Sequence, residues 1–142
     1  MLKQMSPFGL LFLACAGAQA QDITPGLWRI NVDSVIATTP GYSPPPVSQT
    51  QCLSAADARD PQRLFGDMAA PGAADCSYGK AKVSGSNLRF TMQCSGALNL
   101  HASGDVDLGA ETMSGSISSS ANLGGQQVDM QSKVSGKRIG AC

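Results

Sequence analysis

From residue 86 onward, apolar and polar positions alternate with a period of two. Leu88, Phe90, Met92 and Cys94 share one side, with Arg89, Thr91 and Gln93 opposite. Leu98, Leu100, Ala102, Gly104, Val106 and Leu108 follow, against Asn99, His101, Ser103, Asp105 and Asp107. Met113, Gly115, Ile117, Ser119, Ala121 and Leu123 make a third such file, and Val128, Met130, Ser132, Val134 and Gly136 a fourth. Successive side chains of a strand point to opposite faces, so this pattern predicts strands with one dry and one wet face. Turn residues separate them: Ser84-Gly85-Ser86-Asn87, Ser95-Gly96, Gly109-Ala110 and Gly124-Gly125.

Four hairpin registers bring all the apolar files to one side. They pair Val83 with Leu88 (Ala81 facing Phe90), Cys94 with Leu98, Leu108 with Met113, and Leu123 with Val128. A slip of one residue would turn a strand inside out. The prediction is an all-β fold, a curved antiparallel meander or partly closed small barrel. Mid-strand Gly104, Gly115 and Gly136 mark bends or close approaches.

The first half is less regular. Trp28, Ile30 and Val32 alternate with Arg29, Asn31 and Asp33, which predicts a first strand after Pro25-Gly26. Val35-Ile36 breaks the phase and reads as a bulge. Residues 37–48 (ATTPGYSPPPVS) form a proline-rich loop, and Val47 to Leu53 a short or edge strand. Ser54 is placed to cap a helical turn through Ala55-Ala56-Asp57-Ala58, and Pro61 to Met68 gives a second short turn. Residues 69–74 read as loop.

The start of the chain changes the setting of this fold. Lys3, the apolar run Phe8 to Gly17 and the small-x-small triplet Ala18-Gln19-Ala20 read as a signal peptide cut between Ala20 and Gln21. The run is too short for a transmembrane helix. Leu13-Ala14-Cys15 loosely resembles a lipobox, the competing reading. Residues 21–142 then form one domain, periplasmic or secreted. It keeps nine Lys/Arg (ten less Lys3) and ten Asp/Glu, a net charge of −1. That balance argues against nucleic acid and acidic membrane surfaces as partners.

Four cysteines remain after cleavage, Cys52, Cys76, Cys94 and Cys142. An even count in an exported chain reads as two disulfides, and the wide spacing lacks the close pairs of a zinc site. With 29 large apolar residues in residues 21–142, the core is thin. Each staple is worth about 2–4 kcal/mol. Strand directions favour Cys76–Cys94 and Cys52–Cys142. The Val83–Leu88 register, however, sets Cys76 opposite Ser95, on the other face from Cys94. A frayed end or a bulge would reconcile the two, and the other connectivities stay open at this point.

These landmarks resemble a known family. Ile23-Thr24-Pro25-Gly26-Leu27-Trp28, Gln51-Cys52, the pair Cys76 and Cys94, and Gly136-Lys137-Arg138-Ile139-Gly140-Ala141-Cys142 are similar to a bacterial exported family known as domain of unknown function 3617. The resemblance spans the chain after the signal. It implies a signal peptide, four cysteines and no assigned activity or catalytic residue.

Candidate chemistry is sparse. His101, the one histidine, falls on a polar strand face with no nucleophile or second ligand placed beside it. No Gly-x-Ser-x-Gly elbow supports a serine nucleophile. Asp105 and Asp107 share a wet face but lack the further oxygens that calcium wants. Met68, Met92, Met113 and Met130 suit Cu(I) chemically, yet three of them fall on the apolar face and read as core filling. Gly124-Gly125 opens no helix to cradle phosphate. Trp28 reads as a core anchor, with ligand stacking as the lesser reading.

No enzyme, cofactor or metal site is therefore expected. The leading expectation is a binding module for an apolar ligand or peptide on the concave face, with Trp28, Phe90 and Leu100 as lining candidates. The alternative is an envelope protein-interaction or structural role through the loop over residues 40–46 and the wet strand faces. An enzyme ranks last.

Overall fold

The computed structural model describes residues 23–69, 75–96 and 99–142. The expected signal segment, with Ala20 and Gln21, and most of the loop over 69–74 lie outside the described residues. Eight strands form one antiparallel sheet. They are β1 (Gly26–Ile36), β2 (Val47–Leu53), β3 (Cys76–Tyr78), β4 (Lys82–Ser84), β5 (Asn87–Cys94), β6 (Leu100–Leu108), β7 (Thr112–Leu123) and β8 (Gln126–Gly140). Helices α1 (Ala55–Arg59) and α2 (Pro61–Ala69) lie between β2 and β3. The strand order is β2-β1-β8-β7-β6-β5-β3, with β4 also beside β5. The sheet is thus the expected meander β5–β8, extended by β1 along β8, and it does not close.

The alternating pattern becomes two faces. On β5 and β6 every second residue is buried from end to end. Trp28, Phe65, Phe90, Ile23, Ile30, Leu53 and Val106 are the large side chains most completely enclosed. Helix α1 starts at a capping box: Asp57 N donates to Ser54 Oγ (3.1 Å) and Ser54 N to the Asp57 carboxylate (2.8 Å). Helix α2 then presses Leu64 and Phe65 onto the sheet. Phe65 stacks on Phe90 of β5, ring centroids 6.2 Å apart. Burying one such ring stabilises the fold by about 1.5–3 kcal/mol. Gly104 of β6 faces Phe90 across the ladder, and a Cβ there would overlap the phenylalanine ring. The mid-strand glycine thus makes room for the Phe90 ring.

Several expected registers are corrected. Cys94 pairs with Leu100, not Leu98, and Met92 with Ala102. Leu123 pairs with Gln126 and Ala121 with Val128. Both errors are shifts of two residues, which leave every side chain on its face, so alternation alone cannot detect them. At β7–β8 the turn chemistry decides. Gly124 and Gly125 both take positive φ (59° and 87°), the two-residue turn that matches strand twist. The expected Leu108–Met113 and Val83–Leu88 pairs are present. Ala81 does not face Phe90 in a ladder, because β4 begins at Lys82. Val35-Ile36 is no bulge: β1 stays in register with β8 through Ile36, and Val35 simply faces solvent.

A bulge lies elsewhere. Tyr78 pairs with Met92 and Lys82 with Arg89, so three residues, 79–81, oppose two on β5. This shift puts Cys76 directly opposite Cys94. Disulfides join Cys76 to Cys94 and Cys52 to Cys142. The first ties the short edge strand β3 to β5, beside which it pairs in the sheet. The second closes a sequence separation of 90 residues and fastens β2 to the end of the chain.

Candidate ligand cavity on the concave face

The inward side chains of β1 become steadily less covered along the strand. Trp28 and Ile30 are fully buried; Val32, Ser34 and Ile36 are half-buried. The same gradient runs on β8, where Val134 and Ser132 are buried and Met130 and Val128 only half-buried. The uncovered stretch is a cavity of about 590 Å³ between the sheet and the two helices. Its floor is Val32, Ile117, Met130 and Val134, interrupted by the hydroxyls of Ser34, Ser119 and Ser132. Val47, Gln49 and Gln51 of β2 form one wall. Leu64 and Met68 of α2, with Asp57, Arg63 and Asp67, form the other. The packed side chains of Trp28, Ile30, Leu53 and Phe65 close it at one end.

Physical chemistry divides this lining into two parts. Aliphatic carbons favour the transfer of an apolar group from water, and the volume lies within the usual range for small-molecule sites, roughly 300–1,000 Å³. The hydroxyls supply a few fixed polar points. Ser34 Oγ and Ser132 Oγ are 2.8 Å apart and hydrogen-bonded, so both oxygens keep acceptor capacity and one of the two keeps a free O–H donor. Ser119 is 9% exposed. The charges sit at the helix wall. Asp57 is held by its capping box, and Asp67, with Asp60, reinforces burial in raising the Tyr78 phenol above its ordinary pKa.

The residues singled out in the sequence are not gathered here. His101 is exposed on the outer face of β6, between Gln93 and Ser120 on neighbouring strands. It lies in a broader, shallower hollow of about 810 Å³ with Thr91, Ser103, Ser118 and Gln131. Asp105 and Asp107 are also on the outer face. Asn87 Nδ2 donates to both (2.6 and 3.1 Å), and Arg89 Nε lies 2.9 Å from Asp105. The Asn87 hydrogen bond and the Arg89 charge hold the Asp105 carboxyl below its ordinary pKa. Met92 and Met113 are core residues, while Met68 and Met130 line the cavity. Among the described residues, no cluster of three or more His, Cys, Asp or Glu is positioned for a metal ion.

Trp28, Phe90 and Leu100, the expected lining, are instead buried in the packed core. Trp28 Nε1 donates to the Thr24 carbonyl at 3.0 Å, which satisfies its one polar atom inside. The true lining on the sheet comes from later positions of the Trp28 file and from the inward files of β7 and β8. Its signal in the sequence was the set of serines, Ser34, Ser119 and Ser132, standing at inward positions where aliphatic residues would otherwise continue. The wall from α2 had no such signal, because nothing local fixes where that helix docks.

The landmarks that frame this architecture are Trp28 at the closed end of the cavity and the cysteines that fasten both sheet edges. They fall within a span matched by the profile of a described family, protein of unknown function DUF3617, over residues 23–142. The chain belongs to this family. No curated protein and no solved structure matches the chain. The family description assigns no activity, so the cavity is the starting point for function.

Proposed function

We propose that this member of the family is an exported, non-enzymatic module that binds a small amphipathic molecule in the concave cavity. The observation that carries this reading is the cavity's lining, an aliphatic floor broken by three inward serines. A fully apolar ligand would gain nothing from the hydroxyls, and a fully polar one would waste the aliphatic floor. A ligand with an apolar body and a hydrogen-bonding group uses both. Two features support export to the periplasm or beyond: the Lys3, apolar-run and Ala18-Gln19-Ala20 pattern, and two disulfides. The non-catalytic reading is supported by the dispersal of His101, Asp105 and Asp107 over an open outer face.

A dansyl-labelled fatty acid tests the reading. Titration into the oxidised chain should give saturable, blue-shifted emission. Ser119→Phe and Met130→Trp, which fill the cavity from β7 and β8, should weaken binding at least about tenfold, the equivalent of 1.4 kcal/mol. Absence of saturable emission, or equal binding by both filled variants, contradicts it.

A further inference from the structure

Beyond Asp22, the two longest segments without Asp, Glu, Lys or Arg have a common destination in the fold. One runs over 34–56, between Asp33 and Asp57; the other over 112–128, between Glu111 and Asp129. The fold brings their outer parts to the same end of the sheet, the end toward which the cavity opens. Ala37 N donates to the Asp129 carbonyl at 2.8 Å, and Asp129 N to Thr38 Oγ1 at 3.4 Å. The proline-rich loop over 37–46 and the tip of the β7–β8 hairpin therefore leave the domain side by side. The opposite end of the sheet carries Arg29, Asp107, Glu111, Lys137 and Arg138.

The hairpin projects. Its ladder runs on through Ala121–Val128, Asn122–Gln127 and Leu123–Gln126. Pairing with β6 ends at Ser120 and pairing with β1 ends at Met130. Three residues at about 3.3 Å each give a finger of roughly 10 Å. Apolar groups are exposed around this end: Val35 (50%), Tyr42 (54%), Val47 (55%) and Leu123 (48%). On the concave side of the finger, Ala121, Val128 and Met130, with Ile36 of β1, are half-buried. They continue the cavity floor outward from Ile117 toward Leu123. An apolar path thus leads from the ligand cavity to a projecting, uncharged tip.

We propose that this end docks on a bilayer of zwitterionic phospholipid, with Tyr42 and Leu123 entering the interface, and that the cavity exchanges its amphipathic ligand with the bilayer along the Ala121–Val128–Met130 path. This extension rests on the cavity reading. A tyrosine suits the interface, where its ring is dry and its hydroxyl wet. Leucine at a glycine turn enters without carrying a charge into hydrocarbon, and the neighbouring Asn122, Gln126 and Gln127 hydrogen-bond without charge at headgroup depth. Among the described residues no basic cluster lies at this end to select acidic lipid, so attraction should be insensitive to salt.

The test is flotation with phosphatidylcholine vesicles of the oxidised chain lacking residues 1–20, whose own apolar run would bind lipid. The expected result is flotation that survives high salt, is unchanged by Val83→Asp at the far edge, and falls at least about tenfold in Tyr42→Asp/Leu123→Asp. Absence of flotation overturns the proposal. So do equal flotation by the double variant and flotation confined to anionic vesicles and abolished by salt. A concentration-dependent dimer dissolved by the same pair would assign the surface to a second copy and overturn it too. Dansyl fatty-acid binding separates the two readings. If the soluble probe binds and vesicles do not, membrane docking alone fails. If vesicles bind and the probe does not, the cavity reading and ligand exchange fail together.

Discussion

The two ends of the concave face are built from the same alternating strands and finish differently. At one end, Trp28, Ile30, Leu53, Phe65 and Phe90 meet with almost no exposed surface. At the other, Val32, Ser34, Ile117, Ser119, Met130 and Ser132 surround a space of about 590 Å³. A period of two decides which side chains point inward but not whether they touch. Filling depends on volume, and the packed end has aromatic rings plus Phe65 delivered by α2. The open end has serines at matching inward positions of β1, β7 and β8, too small to meet the helices. The same contrast appears in charge: ionised side chains ring the packed end, whereas at the open end they stand along the helix wall, at Asp57, Arg63 and Asp67, and at Asp129 below the uncharged hairpin tip.

The contrast is sharpest at Phe65. Truncation to Ala removes the ring stacked on Phe90 and should destabilise the fold by about 3–5 kcal/mol in chemical denaturation. A loss under about 1 kcal/mol would show that the packed end is not held by this helix. Next in size, replacing Cys52 and Cys142 together by Ser frees β2, which forms a cavity wall as well as an edge. Stability should fall by about 2–4 kcal/mol, with fatty-acid binding weakened in parallel. Unchanged binding would place the ligand away from β2. At the open end the scale is smaller. Ser132→Val replaces a hydroxyl by two methyl groups on the cavity floor and should change stability by less than about 1 kcal/mol, since the cavity relieves crowding. The same change should reduce affinity for a ligand that uses the Ser34–Ser132 pair.

The weakest expected effect is that of acid. Asp105 is lowered by its Asn87 hydrogen bond and the Arg89 charge, and Asp129 by hydrogen bonds from Gln127 and Ser120. A carboxyl with a folded pKa below its unfolded value stabilises the fold above the unfolded value, roughly pH 4. That contribution is lost as pH falls through the lower folded pKa. Both groups are exposed, so thermal denaturation should show only a slight decline below about pH 4. Asp105→Asn should flatten it. A steeper decline unaffected by Asp105→Asn would trace acid sensitivity to other groups.

Much of the fold was legible because its signals are local. Strand alternation, the Ser54 cap and the Gly124-Gly125 turn are written in neighbouring residues. The two register errors, Cys94 to Leu98 and Leu123 to Val128, arose where a two-residue shift preserves every face. The bulge over residues 79–81 was legible only as one of two ways to reconcile Cys76–Cys94 with the Val83–Leu88 register, because it is fixed jointly by Cys76 opposite Cys94 and Lys82 opposite Arg89, contacts remote in sequence. The cavity was half legible. Its serines stood out at inward positions, but Trp28 and Phe90 were equally plausible as lining until the docking of α2 covered them. Arg63, Asp67 and Met68 reach the site only through that docking, which no short-range pattern encodes.

The account turns on whether a ligand occupies the open end of the concave face. Methyl-resolved nuclear magnetic resonance during titration with a dansyl-labelled fatty acid measures this directly. Signals of Val32, Ile117, Met130 and Val134 should move and saturate together, while those of Ile30, Leu53 and Val106 stay in place. Shifts confined to residues around the outer hollow of His101, Ser103 and Gln131, or no shift at saturating probe, would contradict it.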